Sequence, residues 1–199
     1  MEDSELRGIF MKKVLVLLAD GFEEIEALTP VDYLRRAGAE VTVAATGKTL
    51  RTVDGAHGIT VTADITLDSW LDQCSELPDA VVVPGGMPGA SNIADTKKAL
   101  ELIDAMVSQK KLVCAICASP AVVLSKTKAL NGRKWTCYPG MEDIAADFLN
   151  MHSDDAFVKD GTLITGRGPG AAEQFSMEIV RTMFGDDVYS KIKKASVQR

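Results

Sequence analysis

A chain of 199 residues, 46% hydrophobic and 25% charged, holds enough apolar material for one substantial core and has the make-up of a globular domain. Its net charge of -6 and pI near 5.0 exclude nucleic acid or an anionic membrane as the main partner, because both need clustered lysine and arginine. No apolar run approaches the roughly 20 residues that cross a bilayer, and residues 1–10 lack the basic-then-apolar order of a secretory leader, so a cytoplasmic protein is expected.

Met1 to Phe10 is polar and patternless, and the two lysines after Met11 lead into an apolar run. The first ten residues therefore read as a tag or frayed extension, with one domain over residues 11–199. Val14 to Ala19 has the unbroken apolar character of a strand buried in a parallel sheet. After the Asp20-Gly21 turn, Glu23 to Ala37 carries helical spacing through Ile25, Leu28, Val31 and Leu34, with Gly38 as its stop and Pro30 as the place for a kink. Glu40 to Ala45 is a second strand. Thr46 to Gly58 reads as a loop or short hairpin, Ile59 to Ala63 as a short strand and Leu67 to Leu71 as a turn of helix.

Asp79 to Val83 is the next buried strand, and it runs into the loop Pro84-Gly85-Gly86-Met87-Pro88-Gly89. Glycines in that position let backbone N–H groups come close to a ligand. One long helix is expected over Ser91 to Gln109, then a strand at Leu112 to Ile116 and a helix after Cys117. A strand near Lys134 to Cys137 and a short helix near Met141 to Phe148 follow. Asp160-Gly161 between two apolar stretches signals a hairpin, and Arg167-Gly168-Pro169-Gly170 leads into a helix over Ala171 to Met183, with a terminal helix over Asp186 to Lys194. This alternation predicts a doubly wound, mostly parallel sheet whose ligand crevice lies at the carboxyl ends of the strands.

Cys117 stands at such an end. At a strand-to-helix turn, free backbone N–H groups favour a thiolate and lower a thiol pKa, and the geometry is that of a nucleophile elbow; the other reading is a small core hydrophobe. Cys114 and Cys117 form a C-x-x-C, but Cys114 lies inside the strand instead of opening a helix, which weakens a dithiol redox role. The four cysteines at 74, 114, 117 and 137 suggest neither a disulfide framework nor a zinc site, since no second C-x-x-C or paired histidines occur. Glu23, Glu24 and Glu26 approach the same crevice, where a carboxyl beside the sulfur would have a raised pKa and form a proton shuttle. Taken singly, each is a helix-dipole partner. His57 and His152 read as solvated loop residues, so a Cys-His pair is not evident.

Four ordered blocks, ADGFEEIEALTPVDYLRRAG, VVVPGGMPG, AICASPAVVL and ITGRGPGAAEQFSMEIV, resemble the ThiJ/PfpI superfamily, and within it the branch of the Parkinson-disease-associated protein deglycase and its bacterial relatives. The resemblance covers Met11 to the C-terminus and implies a flavodoxin-like fold with a cysteine elbow, usually homodimeric. It implies Cys117 as the reactive, oxidation-sensitive cysteine, Glu26 as its protonated partner, and Gly86 and Ala118 as backbone donors around the sulfur. Gly85 and Tyr138 are accessory candidates. Tyr138 stands where some members have histidine, and a phenol of ordinary pKa about 10 is a poor general base near neutral pH. Ala118 stands where the protease-like branch has histidine, which argues against peptidase activity. The implied activity is a cofactor- and metal-independent conversion of dicarbonyls such as methylglyoxal, or of their protein adducts, in stress defence. The alternative is an oxidative-stress sensor or redox-regulated chaperone acting through oxidation of Cys117. Asp32, Arg35 and Arg36 lie on the first helix, which in the resembling family forms part of a twofold interface; Arg36 would then sit near the partner's active-site rim.

Overall fold

The computed structural model describes residues 11–47 and 49–198, so the extension expected at 1–10 lies outside the described residues. In chain order the strands are β1 (Lys13–Leu18), β2 (Glu40–Ala45), β3 (Thr52–Asp54), β4 (Thr60–Thr62), β5 (Ile65–Thr66), β6 (Ala80–Val83), β7 (Leu112–Ile116), β8 (Phe157–Asp160) and β9 (Leu163–Gly166). Seven of them form one sheet in the order β5-β2-β1-β6-β7-β9-β8, parallel except for β8, and β3 with β4 makes a separate antiparallel hairpin. Val14 pairs with Val41 on one side and Ala80 on the other, and Cys114 pairs with Val82 and Ile164. Strands covered on both faces have no polar side to alternate with, which is why β1 from Val14 to Leu18 and all of β6 and β7 are buried apolar runs.

Helices α1 (Glu24–Arg36), α2 (Leu67–Gln73), α3 (Gly89–Ala94), α4 (Lys97–Ser108), α5 (Ser119–Val122) and α6 (Ala172–Ala195) complete the framework. From β1 the chain winds outward to β2 and β5, then returns beside β1 to lay down β6, β7 and β9. The direction of winding reverses between β1 and β6, and ligand crevices of doubly wound sheets open at such a reversal. Phe22, the loop after β6 and Cys117 all lie at that end of the sheet.

Four expectations need correction. The helix expected over Ser91 to Gln109 is broken at Asp95–Thr96. Thr96 leaves the helical region (ψ 95°) and returns its hydroxyl to Asn92 O at 2.9 Å, the local side-chain bonding by which threonine competes with a helix. Lys134 to Cys137 is not a strand beyond one bridge between Trp135 and His152, because its backbone partners are scattered: Thr136 N donates to Thr165 Oγ1 and Tyr138 N to Cys117 O. The helix after Cys117 is only the four residues of α5, followed by a 3-10 turn over Leu124–Lys126. The short helix near Met141 to Phe148 is a 3-10 segment over Glu142–Met151, irregular at Ala145. α1 continues through Pro30 to Arg36, and the last two helices abut at Gly185, where φ is 84°.

Candidate active site

Backbone conformation sets the site. Cys117 has φ 63°, a left-handed conformation that a side-chain-bearing residue adopts only when its surroundings enforce it. Two hydrogen bonds do so: Cys117 N donates to Gly166 O at 2.8 Å, and Cys117 O accepts from Tyr138 N at 2.8 Å. Ser119 ties the turn to the neighbouring loop by donating its hydroxyl to Pro84 O. The thiol is left 8% exposed, enough for a small molecule to reach and too little for full solvation.

Glu26, on the inward face of α1, is wholly buried, and its carboxyl lies beside Cys117, both packed against Gly85. Its Oε2 accepts from Gly85 N at 2.9 Å, while Oε1 has no hydrogen-bond partner among the described residues. Burial raises the Glu26 carboxyl to about 7, against the lowering influence of the thiol and of Gly85 N–H. The expected lowering of the cysteine pKa does not occur. A four-residue helix brings little dipole, whereas burial first and then the Glu26 carboxylate push Cys117 up to about 12, opposed by the N–H groups of Gly86 and Ala118 on the sulfur. Near pH 7 the Glu26 carboxyl can therefore give up its proton while the thiol keeps its own.

The glycines after β6 are steric requirements. A Cβ on Gly85 would lie 2.6 Å from Cys117 Cβ and 2.7 Å from Glu26 Oε2. Gly86, at φ 84°, lies against the backbone of Gly21 to Glu23. Structure therefore brings Cys117, Glu26, Gly85, Gly86 and Ala118 together. Tyr138 joins through its N–H and is otherwise half-exposed, its ring beside Gly168. Arg36 lies apart from them on the exposed side of α1, in an ion pair with Asp32.

Two residues read as ordinary take on a defined part. Glu24 is buried, and its carboxylate accepts from His57 N at 2.7 Å and Ile59 N at 3.4 Å and meets His57 Nδ1 at 2.9 Å, so it anchors the loop between β3 and β4 to α1. Burial pushes Glu24 upward, but those bonds outweigh it and hold the carboxyl below its ordinary value, while His57 is raised by Glu24 and Glu23. A lowered carboxyl stabilises the fold above its unfolded value of 4.5 and loses that effect as pH falls; a raised histidine stabilises below 6.5 and loses it as pH rises through the folded value. The anchor is accordingly strongest between these limits. In NMR titrations His57 should titrate above 6.5 and return toward that value in Glu24→Gln; an unchanged midpoint would refute the pairing. His152 also departs from the expected solvated loop, since its ring packs edge-on to Trp135 at 4.9 Å. Neither role was visible in the sequence, because each depends on a partner distant along the chain or on a turn with no helical or strand period.

A doubly wound α/β protein with a conformationally strained cysteine against a buried carboxyl is the class that this geometry defines. Residues 12–182 match the DJ-1/PfpI family, and the chain belongs to it. It is 37% identical to the Parkinson disease protein 7 homolog of Danio rerio over 92% of this chain and 95% of that one. It is 34% identical to a deglycase of Pyrococcus abyssi (86% and 99%) and 32% identical to a glutathione-independent glyoxalase of Caenorhabditis elegans (92% and 95%). The chain spans about half the length of two Arabidopsis thaliana relatives, DJ-1 homologs A and B, covering 47% and 41% of them. Among solved structures, oxidized Toxoplasma gondii DJ-1 superposes with a TM-score of 0.85 at 34% identity, covering 94% of this chain and 98% of that one. No helix among the described residues is long and apolar enough to cross a membrane.

Proposed function

We propose that this protein is a cofactor-independent cysteine enzyme that converts methylglyoxal, glyoxal and related reactive dicarbonyls to hydroxy acids, or acts on their early adducts with protein thiols and amines. The observation that carries the reading is the buried Cys117–Glu26 pair, a nucleophile joined to a proton carrier whose own pKa lies near neutrality. The names of the Pyrococcus and Caenorhabditis relatives, deglycase and glyoxalase, support the reaction class.

With methylglyoxal the chemistry balances without an oxidant. The Cys117 sulfur adds to the aldehyde carbon as Glu26 takes the thiol proton and the carbonyl oxygen receives one, giving a hemithioacetal. Glu26, having passed the thiol proton to that oxygen, then removes the hydrogen from the same carbon to give an enediolate; return of that proton to the neighbouring carbon and transfer of the hydroxyl proton to the former ketone oxygen leave a thioester of lactate. Water releases lactate and restores the thiol. The Gly86 and Ala118 N–H groups stabilise charge where sulfur and oxygen carry it. Lactate formation by the purified protein tests the proposal: wild type should produce it and Cys117→Ala should not, whereas wild-type rates in both Cys117→Ala and Glu26→Ala would overturn the mechanism.

We also place a homodimer on the exposed side of α1. Ile25 and Leu28 stand 54% and 38% exposed there, one helical turn apart, beside the Asp32–Arg36 pair. Light scattering at micromolar concentration should give twice the chain mass; a value near 21.3 kDa that persists as concentration rises excludes the dimer.

A further inference from the structure

A cysteine, a glutamate and a histidine meet away from the Cys117 sulfur. One ligand atom each of Cys137, Glu142 and His152 lies within 4.8 Å of the others. They come from three places in the chain: the extended segment after Arg133, the start of the 3-10 segment and its end. We propose that these three side chains form a binding site for a zinc-class divalent cation, with a fourth position open to solvent.

Several observations support a ligand set over incidental packing. Cys137 Sγ lies 3.8 Å from His152 Nε2, at the long end of the range for a sulfur hydrogen bond, and donates to Tyr138 O at 3.4 Å, a proton that a bound cation would replace. Two ligands across a tetrahedral zinc stand near that spacing, roughly 3.5 Å for a Zn–S bond of about 2.3 Å and a Zn–N bond of about 2.0 Å. The frame is rigid, since Trp135 N donates to Met151 O, Ser153 N donates to Trp135 O, and the Trp135 ring flanks His152, so cysteine and histidine are held from both sides. Gly140 N donates to Glu142 Oε2 at 2.7 Å, which orients that carboxylate as the outer partners of metal ligands do. Cys137 is 1% exposed and Glu142 and His152 half-buried, so the thiol lies on the closed side and the remaining position faces outward. A thiolate, an imidazole and a carboxylate together suit zinc, whereas calcium and magnesium take oxygen ligands.

The cluster of Glu23, Glu24 and His57 carries no such proposal, because the His57 Nδ1 that would face the cation is already paired directly with Glu24 at 2.9 Å. Cys137 also adjoins Tyr138, whose N–H holds the Cys117 carbonyl, so a bound cation would brace the segment that fixes the reactive cysteine.

The test measures zinc binding by competition with a chromogenic chelator, using full-length protein that carries Cys74→Ser, Cys117→Ser and His57→Asn to remove the other accessible thiols and the other imidazole, Cys114 being sealed inside β7. One equivalent of zinc per chain is expected, with affinity lowered about 100-fold or more by His152→Gln or Cys137→Ser. Cobalt(II) should give a thiolate-to-metal absorption that Cys137→Ser abolishes. Absence of binding in the competition, or binding and a cobalt spectrum that survive both substitutions, would overturn the site. If Cys137→Ser fails to fold, the half-buried His152→Gln variant decides through the same two readouts.

Discussion

Replacing Glu26 with glutamine is expected to slow lactate formation from methylglyoxal by roughly 10²–10⁴-fold, the usual worth of a positioned acid–base group, while making the fold more resistant to unfolding at pH 8. The amide keeps an oxygen for Gly85 N–H and can donate to the sulfur, so the turn around Cys117 has no reason to rearrange. What it cannot do is take a proton from the thiol, and with the thiol pushed up to about 12 a negligible fraction ionises unaided near neutrality. Wild-type kcat/KM should rise with pH through an inflection near 7 as the carboxyl becomes a base, and the variant should lack that inflection. Stability moves the other way. A carboxyl raised from 4.5 to about 7 favours the native state while it is protonated, and its contribution is lost as pH rises from the lower value through the upper one. That difference corresponds to about 3 kcal/mol. Urea unfolding at pH 5 and pH 8 should show wild type losing stability of this order and Glu26→Gln losing little of it. The site is therefore held at the expense of the fold, as acid–base sites commonly are. Equal lactate rates in variant and wild type would sink the catalytic assignment, and equal pH slopes would sink the electrostatic one.

Where one physical signal decided an element, the sequence disclosed it. Buried parallel strands need unbroken apolar runs, so β1, β2, β6 and β7 fall within a residue or so of their expected places, and Asp160-Gly161 marks the turn between β8 and β9. The meeting of Cys117 with Gly85 and Gly86 follows from topology, because all lie at strand ends on one edge of the sheet. Its electrostatics do not follow. Whether the turn lowers or raises the thiol depends on the length of α5 and on how deeply Glu26 is buried, and neither has a periodic signature. The segment from Lys134 to Cys137 shows the same limit: its β-branched and aromatic residues read as a strand, but the partners on either side are single side chains and loop carbonyls, so no ladder forms. His152 and Glu24 were missed because a polar residue's role is set by what the fold brings to it, and that is a long-range property.

Gly85→Ala should abolish most of the activity without unfolding the protein. One methyl group at this position has no free volume: it would stand 2.6 Å from Cys117 Cβ, 2.7 Å from Glu26 Oε2 and 3.0 Å from Ala118 N. The first and last of these belong to a turn held by Gly166 and Tyr138, so neither can retreat far, and the carboxyl of Glu26 is the softer neighbour. It is driven from the sulfur and from the Gly85 N–H that it accepts. Displacements near 1 Å at a reacting pair cost about 100-fold in rate, and overpacking of this kind costs about 1–3 kcal/mol in stability. The loss should fall on kcat with the inflection near pH 7 displaced, since that inflection reports the environment of Glu26. Gly170→Ala serves as the control for the substitution itself, because a Cβ there meets nothing within 4 Å, and it should unfold at close to the wild-type urea concentration. Steady-state kinetics with methylglyoxal and urea melts of the two variants read both effects. Full activity in Gly85→Ala would mean that the close contact of Gly85 with Cys117 and Glu26 is dispensable for turnover, and that the reaction does not run through this pair as placed.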